Sequence, residues 1–449
     1  DMKSGLQREI IKHDTNHGTI CNGLKSIPAE IRNLTKLEYL YIANSEISTL
    51  PQELKHLESC TDIEIYNCPN LTKFPMALAE MPSLISLNIS NNKQWVAEDF
   101  LAGLKALATG PSAEKIQILY ARENSLKILP KEVRNMKKMG LLDLSYNKIE
   151  TIEAPFGNEF APVQFYLDHN QLTELPHDSE PFCGMDDMET FSVKYNKLTK
   201  FPNIFSATSL FTIKSVDFSG NDIREFEGEH EMDEAKKFKG IRVETLTLSQ
   251  NYNLGRYPVA LAKSNSLVSY IILRACGIKD VPAGSFTYKN SVDLVSLDLS
   301  YNYIEKLPRE MHAGNMPYLY GVDLSFNRFE AFPYYPLDAE SLTVLSVRSQ
   351  RNEKGEQVVM IYDFKAGTFS MDRVQSGLTH FSKDFAAVTT TPLFVSSKTH
   401  RVNIYVDKYS IEAFDAKGYW SMTNLVFPTQ PYNQVEVVGG KVKVYSINH

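Results

Sequence analysis

The stretch Leu142-Asp143-Leu144-Ser145-Tyr146-Asn147-Lys148-Ile149 contains the pattern Leu-x-Leu-x-x-Asn-x-Leu, with isoleucine in the last place. The pattern returns at residues 297–304 and 322–329, with other apolar residues in the first or last place. Its asparagine position can be followed along the chain at a period of roughly 25 residues, which is typical of repeat solenoids. That position holds Asn22, Ser45, Cys68, Asn92, Asn124, Asn147, Asn170, Asn196, Asn221, Asn251, Cys276, Asn302, Asn327 and Gln350. The period therefore predicts an array of stacked units.

Each unit is predicted to be a short strand and a tight turn, and stacked units share one core behind a parallel sheet. The asparagine amide can pair backbone groups that the turn leaves unpaired. Most units close with an apolar residue and a proline, which ends the strand side and starts the convex return. These pairs are Ile27-Pro28, Leu50-Pro51, Phe74-Pro75, Leu129-Pro130, Leu175-Pro176, Phe201-Pro202, Tyr257-Pro258, Val281-Pro282, Leu307-Pro308 and Phe332-Pro333. On these motifs, residues 19–351 resemble the leucine-rich-repeat family of the Leu-Pro type, an α/β solenoid.

Composition indicates a folded chain with an ample core: 449 residues, 43% hydrophobic and 22% charged, with a net charge of -7. The acidic balance and the lack of a basic cluster argue against nucleic acid as a partner. No apolar run is long enough to cross a bilayer. The chain begins at Asp1 without a methionine or signal peptide, so we expect a processed form whose address has been removed.

The cysteines are interpreted as small buried residues. Cys68 and Cys276 occupy the asparagine row, Cys60 stands at an apolar strand position, and no Cys-x-x-Cys pair is present. The ten histidines are scattered along the chain. We therefore predict neither a metal site nor a cofactor.

The ends and insertions of the array carry other signals. Leu6, Ile10 and Ile11 suggest a short amphipathic helix that caps the first unit, so residues 1–18 are predicted to be an N-terminal helical cap. Residues 96–107 have the apolar spacing of a longer helix on the convex side. Residues 176–187 and 225–240 are further insertions, and the second reads as a solvated charged segment.

Function in such solenoids is expected on the concave face of the sheet, where the outward residues of successive strands form an ordered grid. The N-terminal half of this grid combines tyrosines with both signs of charge, a composition enriched at recognition patches. Simple solvation of the sheet face is the alternative, because singly exposed aromatic residues are common. The predicted partner-binding residues are Tyr41, Glu64, Tyr66, Tyr120, Arg122, Tyr166, Asp168, His169 and Lys194. By contrast, Asp143, Asp217, Asp298 and Asp323 recur within Asp-Leu-Ser or Asp-Phe-Ser, so we interpret them as part of the repeat.

After Asn352 the pattern changes to alternating strands. Val402, Ile404 and Val406 alternate with other residues, and Gly439-Gly440 separates two strand-like runs within residues 435–444 as in a tight hairpin. Residues 352–449 are therefore predicted to form a small antiparallel β-sandwich.

This region resembles the C-terminal β-sandwich of the levanase and invertase glycoside hydrolases, family 32. The motifs that carry the resemblance are residues 352–359, Met371-Asp372-Arg373, residues 404–414 and residues 422–428. In that family the nucleophile, a second aspartate and the acid lie on a five-bladed propeller, in Trp-Met-Asn-Asp-Pro-Asn-Gly, Arg-Asp-Pro and Glu-Cys motifs. None of these motifs occurs in this chain, so the resemblance brings no pair of catalytic carboxylates.

Two functions from different classes are compatible with these observations. The first is a non-enzymatic recognition scaffold that binds a protein or glycan on its concave face, exported and displayed at a bacterial surface or in the periplasm. The alternative is a carbohydrate-binding accessory protein whose C-terminal sandwich contacts fructan while the repeats dock a partner. The close junction at Asn352 suggests a fusion in which the sandwich also caps the solenoid, as a monomer or a weak dimer.

Overall fold

The computed structural model describes two stretches, residues 24–393 and 401–443. Its gaps are residues 154, 177–179, 206–212, 265, 330–343, 352–353, 364–365, 380–384, 386, 408, 417–419, 433–434 and 436–442. For residues 263 and 344–351 it describes the backbone. The predicted cap, with Leu6, Ile10 and Ile11, and most of the predicted hairpin at residues 435–444 lie outside the described residues, as do the domain bounds predicted at residues 19 and 352.

The chain divides into two compact units. The N-terminal unit comprises Asp1–Leu172 and Asp178–Gly184, and the C-terminal unit comprises Thr173–His177 and Met185–His449. The strands of the N-terminal unit are β1 (Tyr39–Ala43), β2 (Asp62–Tyr66), β3 (Ser86–Asn88), β4 (Ile118–Tyr120), β5 (Ile128–Leu129), β6 (Leu141–Asp143), β7 (Thr151–Ile152) and β8 (Gln164–Tyr166).

Six of these strands form one parallel sheet in the order β1-β2-β3-β4-β6-β8, so each repeat adds the next strand. The short strands β5 and β7 pair with each other. One row of the sheet points inward and is buried on β2, β3, β4, β6 and β8, at Ile63, Leu87, Leu119, Leu142 and Phe165. This is the two-residue alternation of strands, with one face on the core.

The return side of the N-terminal unit is built from short helices that begin directly after proline. Pro28, Pro51, Pro75 and Pro130 have φ between -71° and -80° and precede 3-10 helices at Ala29–Asn33, Gln52–His56, Met76–Glu80 and Lys131–Asn135. The backbone of these prolines is extended, with ψ between 96° and 159°, so each lies just outside its helix, where a residue without an N–H ends the strand side. A further 3-10 helix spans Pro111–Glu114. Helix α1 (Ala97–Thr109) lies where the spacing predicts a helix and buries Phe100, Leu104 and Leu107.

The asparagine row pairs the backbone of neighbouring repeats. The Asn147 amide donates to the carbonyls of Ala121 and Leu144, both at 2.9 Å, and its oxygen accepts from the Leu126 N–H at 3.1 Å. Cys276 takes the same place, and its thiol donates to the Leu248 carbonyl at 3.0 Å.

The four described cysteines are buried, unpaired thiols, as predicted: Cys60, Cys68, Cys183 and Cys276. Burial raises the pKa of the Cys183 thiol. We therefore assign these cysteines to the cores of their units.

The C-terminal unit begins with the same repeat. Its sheet order is β9-β11-β13-β14-β15-β16, with β10 and β12 paired to each other, and all these pairs are parallel. Helix α2 (Val259–Lys263) again follows proline, at Pro258, and helix α3 (Tyr288–Ser291) starts with a capping box at Thr287. The strands are β9 (Thr190–Ser192), β10 (Lys200–Phe201), β11 (Ile213–Asp217), β12 (Glu225–Phe226), β13 (Arg242–Thr247), β14 (Leu267–Ile272), β15 (Ser296–Asp298) and β16 (Gly321–Asp323).

The repeats then give way to antiparallel strands within the same unit. Strand β17 (Val344–Arg351) pairs parallel with β16 and antiparallel with the next strand, so the sheet changes direction there. The remaining strands are β18 (Gln357–Asp363), β19 (Thr368–Asp372), β20 (Val388–Pro392), β21 (Val402–Val406), β22 (Ser410–Asp415) and β23 (Ser421–Leu425). Strands β17–β20 form one antiparallel run and β21–β23 a second sheet. Phe369, Met371, Ile411 and Trp420 share a core between them, which confirms a sandwich-like domain.

Candidate recognition surface

The outward face of the N-terminal sheet is a grid of four columns. Strand pairing aligns the first two columns. The third column holds the last residue of β1 and of β2 and the second residue after each shorter strand, and the next residue of the turn adds the fourth. The first two columns are Tyr39, Asp62, Ser86, Ile118, Leu141, Gln164 and Tyr41, Glu64, Asn88, Tyr120, Asp143, Tyr166. The third and fourth are Ala43, Tyr66, Ser90, Arg122, Ser145, Asp168 and Asn44, Asn67, Asn91, Glu123, Tyr146, His169.

The most exposed aromatic side chains of this grid lie on β1. Tyr39 and Tyr41 are 54% and 57% exposed, and their rings stack with centroids 6.4 Å apart and planes 27° apart. In the ladder, Tyr39 lies beside Asp62 and Tyr41 beside Glu64. Tyr66 is half-buried at the end of β2. The predicted residues Tyr41, Glu64 and Tyr66 therefore lie on two adjacent strands.

A second group lies on β4, β6 and β8. Register places Asp143 between Tyr120 and Tyr166, two half-buried tyrosines. The Arg122 guanidinium lies 3.5 Å from the Asp143 carboxylate. Burial nevertheless raises the pKa of Asp143, although hydrogen bonds from Ser145 and the charge of Arg122 act in the opposite direction. Burial, together with the negative charge of Asp143, also raises the pKa of Tyr120.

The structure shows that the fourth column also faces outward. The prediction from sequence did not treat these residues as a column. The residue directly before the asparagine row has a positive φ, 59° at Tyr146 and 54° at His169. This turn lays the two rings face to face, with centroids 4.2 Å apart and planes 12° apart, and the Arg122 guanidinium lies 5.4 Å from the Tyr146 centroid. This column could have been found from the sequence, because its members are the residues directly before each asparagine of the repeat.

The predicted residues therefore fall into three places. Tyr120 and Tyr166 lie on β4 and β8, and Arg122, Asp168 and His169 lie in the turns after these two strands. Strand β3 separates this group from Tyr41, Glu64 and Tyr66. Asp168 is a buried carboxylate in the third column. Lys194 belongs to the C-terminal unit, where its ammonium lies 3.9 Å from the Asp217 carboxylate. A binding role for these nine residues stays a prediction.

The recurring aspartates have a structural role, as the sequence indicated. The carboxylates of Asp143, Asp217, Asp298 and Asp323 accept from the backbone N–H two residues later, at 2.8 to 3.0 Å. Each contact closes the turn between strand and asparagine in its own repeat. Burial raises the pKa of Asp298, as it does that of Asp143.

The corresponding face of the C-terminal unit has its own aromatic contacts. The Arg274 guanidinium lies 3.9 Å from the Tyr301 centroid, and the Tyr301 ring stacks on Phe326 at 3.7 Å. The Tyr195 hydroxyl donates to Gln250 at 3.2 Å. Gly220, at φ 70°, lies under the Tyr195 ring, where a Cβ would come within 2.4 Å of that ring.

The described part of the chain has neither a metal-binding cluster nor a membrane-spanning helix. No group of three or more His, Cys, Asp or Glu side chains there could hold a metal ion. His13 and His17, which stand four residues apart in the sequence, lie outside it. No helix within the described ranges is long and apolar enough to span a bilayer.

Comparison with known proteins separates the two parts of the chain. Residues 328–449 match the family described as "Glycosyl hydrolases family 32 C terminal". A second similarity agrees with this match: the extracellular exo-inulinase of Aspergillus niger is 33% identical over 109 residues, 24% of this chain and 19% of the inulinase.

The repeats are similar to solved bacterial structures. A leucine-rich repeat protein from Bacteroides eggerthii is 32% identical with a TM-score of 0.63, covering 72% of this chain and 57% of that one. A leucine-rich repeat protein from Bacteroides thetaiotaomicron is 33% identical with a TM-score of 0.63, covering 74% of this chain and 42% of that one. The chain also spans about half or less of the length of the first curated relatives that it matches.

Proposed function

We propose that this chain, which belongs to the leucine-rich-repeat proteins and ends in a segment of the family 32 C-terminal type, is a non-enzymatic recognition scaffold. Its ligand, a protein or a glycan, lies on the outward face of the repeat sheet, the face predicted to be concave. We further propose that the solenoid covers residues 19–351 and the sandwich residues 352–449, and that the protein acts after export, at the cell surface or in the periplasm.

The observation that carries this proposal is the tyrosine content of the N-terminal face. Six of its 24 grid positions are tyrosines: Tyr39, Tyr41, Tyr66, Tyr120, Tyr146 and Tyr166. Tyrosine is enriched at binding hot spots because it offers a large, rigid apolar surface with a polar end. A repeat sheet holds these rings at fixed spacing, so little order has to be gained on binding.

A non-enzymatic role is supported by what the C-terminal match covers. The match begins at residue 328, and the sequence has none of the propeller motifs that carry the carboxylates of family 32. The C-terminal segment would then serve as structure, with β17 as the strand that ends the repeat array.

The test is a pull-down with the intact chain and with a variant in which Tyr41, Tyr66, Tyr120 and Tyr166 are changed to alanine. A control variant changes Tyr288 and Tyr318 to alanine. These two tyrosines are 59% and 63% exposed and lie outside the sheet strands. Circular dichroism should show that both variants fold. We expect partners that the four-tyrosine variant loses and the control keeps. An unchanged set of partners would contradict a ligand site on this face.

A glycan assay distinguishes the alternative, in which the sandwich contacts fructan. The intact chain is compared with a version lacking residues 353–449 for retention on levan and inulin, after both are shown to fold. Retention that depends on residues 353–449 would support the accessory role. No retention of the intact chain is the result expected for the recognition scaffold.

A further inference from the structure

The outward face of the N-terminal unit is unbalanced in charge. Among its 24 grid positions, Arg122 is the single lysine or arginine, whereas five positions are acidic. The acidic positions are Asp62, Glu64, Glu123, Asp143 and Asp168. A sheet face with this balance attracts cationic partners and disfavours anionic ones.

Two of these acids already have a cation beside them. Arg122 lies 3.5 Å from Asp143, and Lys93, which is outside the grid, pairs with Glu123 at 2.9 Å. Their charges are therefore largely compensated within the unit, and the imbalance is concentrated elsewhere on the face.

Two further carboxylates of this face lie on β2. Asp62 accepts from the Thr61 hydroxyl at 2.6 Å, and Glu64 accepts from the Asn88 amide at 3.4 Å. Both donors are neutral, and within the described residues neither carboxylate forms an ion pair. Each carboxylate lies beside one of the stacked, exposed rings of Tyr39 and Tyr41 in the ladder.

We infer that this face binds an extended polypeptide segment rich in arginine or lysine, anchored by one cationic side chain at Tyr39, Tyr41, Asp62 and Glu64. This inference rests on the proposed function and specifies its partner. The cation lies against a tyrosine face while its N–H groups donate to the neighbouring carboxylates, and each contact strengthens the other.

The spacing of the sheet suits an extended segment. From β1 to β8 the sheet makes five steps of about 4.8 Å, a width of about 24 Å. An extended chain crosses that width in about seven residues. Along the way it meets Tyr120 and Tyr166 on either side of Asp143, so aromatic and acidic contacts recur across the face.

The experiment titrates the full chain with a labelled hexa-arginine peptide and follows fluorescence anisotropy, with hexa-glutamate as the opposite-charge probe. The test variant is Asp62→Asn with Glu64→Gln. Its charge-matched control is Glu30→Gln with Glu58→Gln, two exposed acids of the same unit on the return side. A third pair of variants compares Tyr39→Phe/Tyr41→Phe with Tyr39→Ala/Tyr41→Ala.

We expect the Asp62/Glu64 variant to bind hexa-arginine about tenfold more weakly and the charge-matched control to stay within about twofold. The phenylalanine pair should also stay within about twofold because the ring keeps its face, whereas the alanine pair should lose about fivefold. Binding of the intact chain should weaken between about 50 mM and about 300 mM salt, and hexa-glutamate should not bind.

The inference is overturned if the Asp62/Glu64 variant binds hexa-arginine as tightly as the intact chain, or if the control loses as much. It is also overturned if partners require the four tyrosines but hexa-arginine neither binds nor competes, in which case the proposed recognition function stands. The opposite result, in which the proposed function fails and the cationic site stands, can also be recognised. If the four-tyrosine variant keeps every partner while hexa-arginine binding depends on Asp62 and Glu64, the cationic site stands and the proposed function fails.

Discussion

The two units of this chain use one repeat to present two different faces. In the N-terminal unit the grid carries six tyrosines and three serines. In the C-terminal unit the same columns, on β9, β11 and β13–β16 with their turns, carry ten serines and threonines. These are Thr190, Ser192, Ser215, Ser219, Thr245, Thr247, Ser249, Ser296, Ser300 and Ser325. The asparagine row and the turn-closing aspartates occur in both units.

This contrast separates two roles within a single repeat. Asn147 and Asn302, in different units, make the same kind of backbone contacts, so they serve the stacking of repeats. The outward side chains do not supply the backbone contacts of the asparagine row, so their residue types can differ between the units. A difference in ligand between the two faces is therefore expected to come from these columns, since the scaffold is shared.

The largest effect, on the free energy of unfolding, is expected at the asparagine row, which the two units share. Asn147→Ala removes donors to two carbonyls and leaves the Leu126 N–H without its acceptor, which should lower the free energy of unfolding by about 3 kcal/mol. Asn302→Ala should do the same in the other unit. Urea unfolding measures both, with the exposed Asn135→Ala as a control that should change the stability by less than about 0.5 kcal/mol. A harmless Asn147→Ala would mean that the row does not hold the repeats together.

A smaller effect, on the affinity for a partner, is expected in the outward columns, where the two units differ. Tyr120→Ser with Tyr166→Ser gives the second column of the N-terminal face the residue type of Ser192. Affinity for a partner recovered by the intact chain should fall about 10- to 30-fold, as measured by calorimetry, because two hot-spot side chains are lost. Thr190→Tyr with Thr247→Tyr, at two half-buried positions, adds tyrosines to the C-terminal face and should leave the affinity unchanged. Equal losses in both double variants would remove the distinction between the faces.

The smallest effect concerns the buried turn-closing aspartates. Because the pKa of Asp143 and that of Asp298 are raised in the folded state, their charged forms cost stability above the folded pKa. That cost disappears as pH falls toward the unfolded value of about 3.9. Asp143→Asn and Asp298→Asn should therefore raise the melting temperature at pH 7, with a gain that shrinks toward about pH 4.

An aspartate with the opposite shift provides the control. Hydrogen bonds from Asn253 and Arg224 lower the pKa of Asp222, so its charged form adds stability above the unfolded pKa. Asp222→Asn should lower the melting temperature at pH 7, and the loss should vanish at lower pH. Thermal unfolding across pH measures all three variants. The same sign for Asp222 and Asp143 would contradict burial as the cause.

Much of the fold could be predicted because the same residue types recur at the same positions of successive repeats. The proline after each apolar residue predicted the return side, and short helices begin after Pro28, Pro51, Pro75 and Pro130. The change of pattern after Asn352 predicted antiparallel strands, and β18–β20 are antiparallel. Both signals act within a few residues, where local backbone preferences decide the outcome.

The candidate surface could be predicted only in part. Tyr41 and Tyr120 were identified because strand alternation alone points them outward. Tyr146 was not, since its contacts with Arg122 and His169 depend on a left-handed turn and on two neighbouring repeats. Lys194 was grouped with the N-terminal residues, although it lies in the other unit and pairs with Asp217.

The sequence by itself determined the period, the buried and outward positions of each repeat, and the presence of antiparallel strands after the repeats. These follow from residue type and spacing, which act within one repeat or between successive copies. Only the tertiary structure decided which side chains meet, as at Tyr146 with His169, Arg122 with Asp143 and Tyr301 with Phe326. Such contacts depend on the side-chain conformations and turn geometry of adjacent strands, to which a one-dimensional pattern is blind.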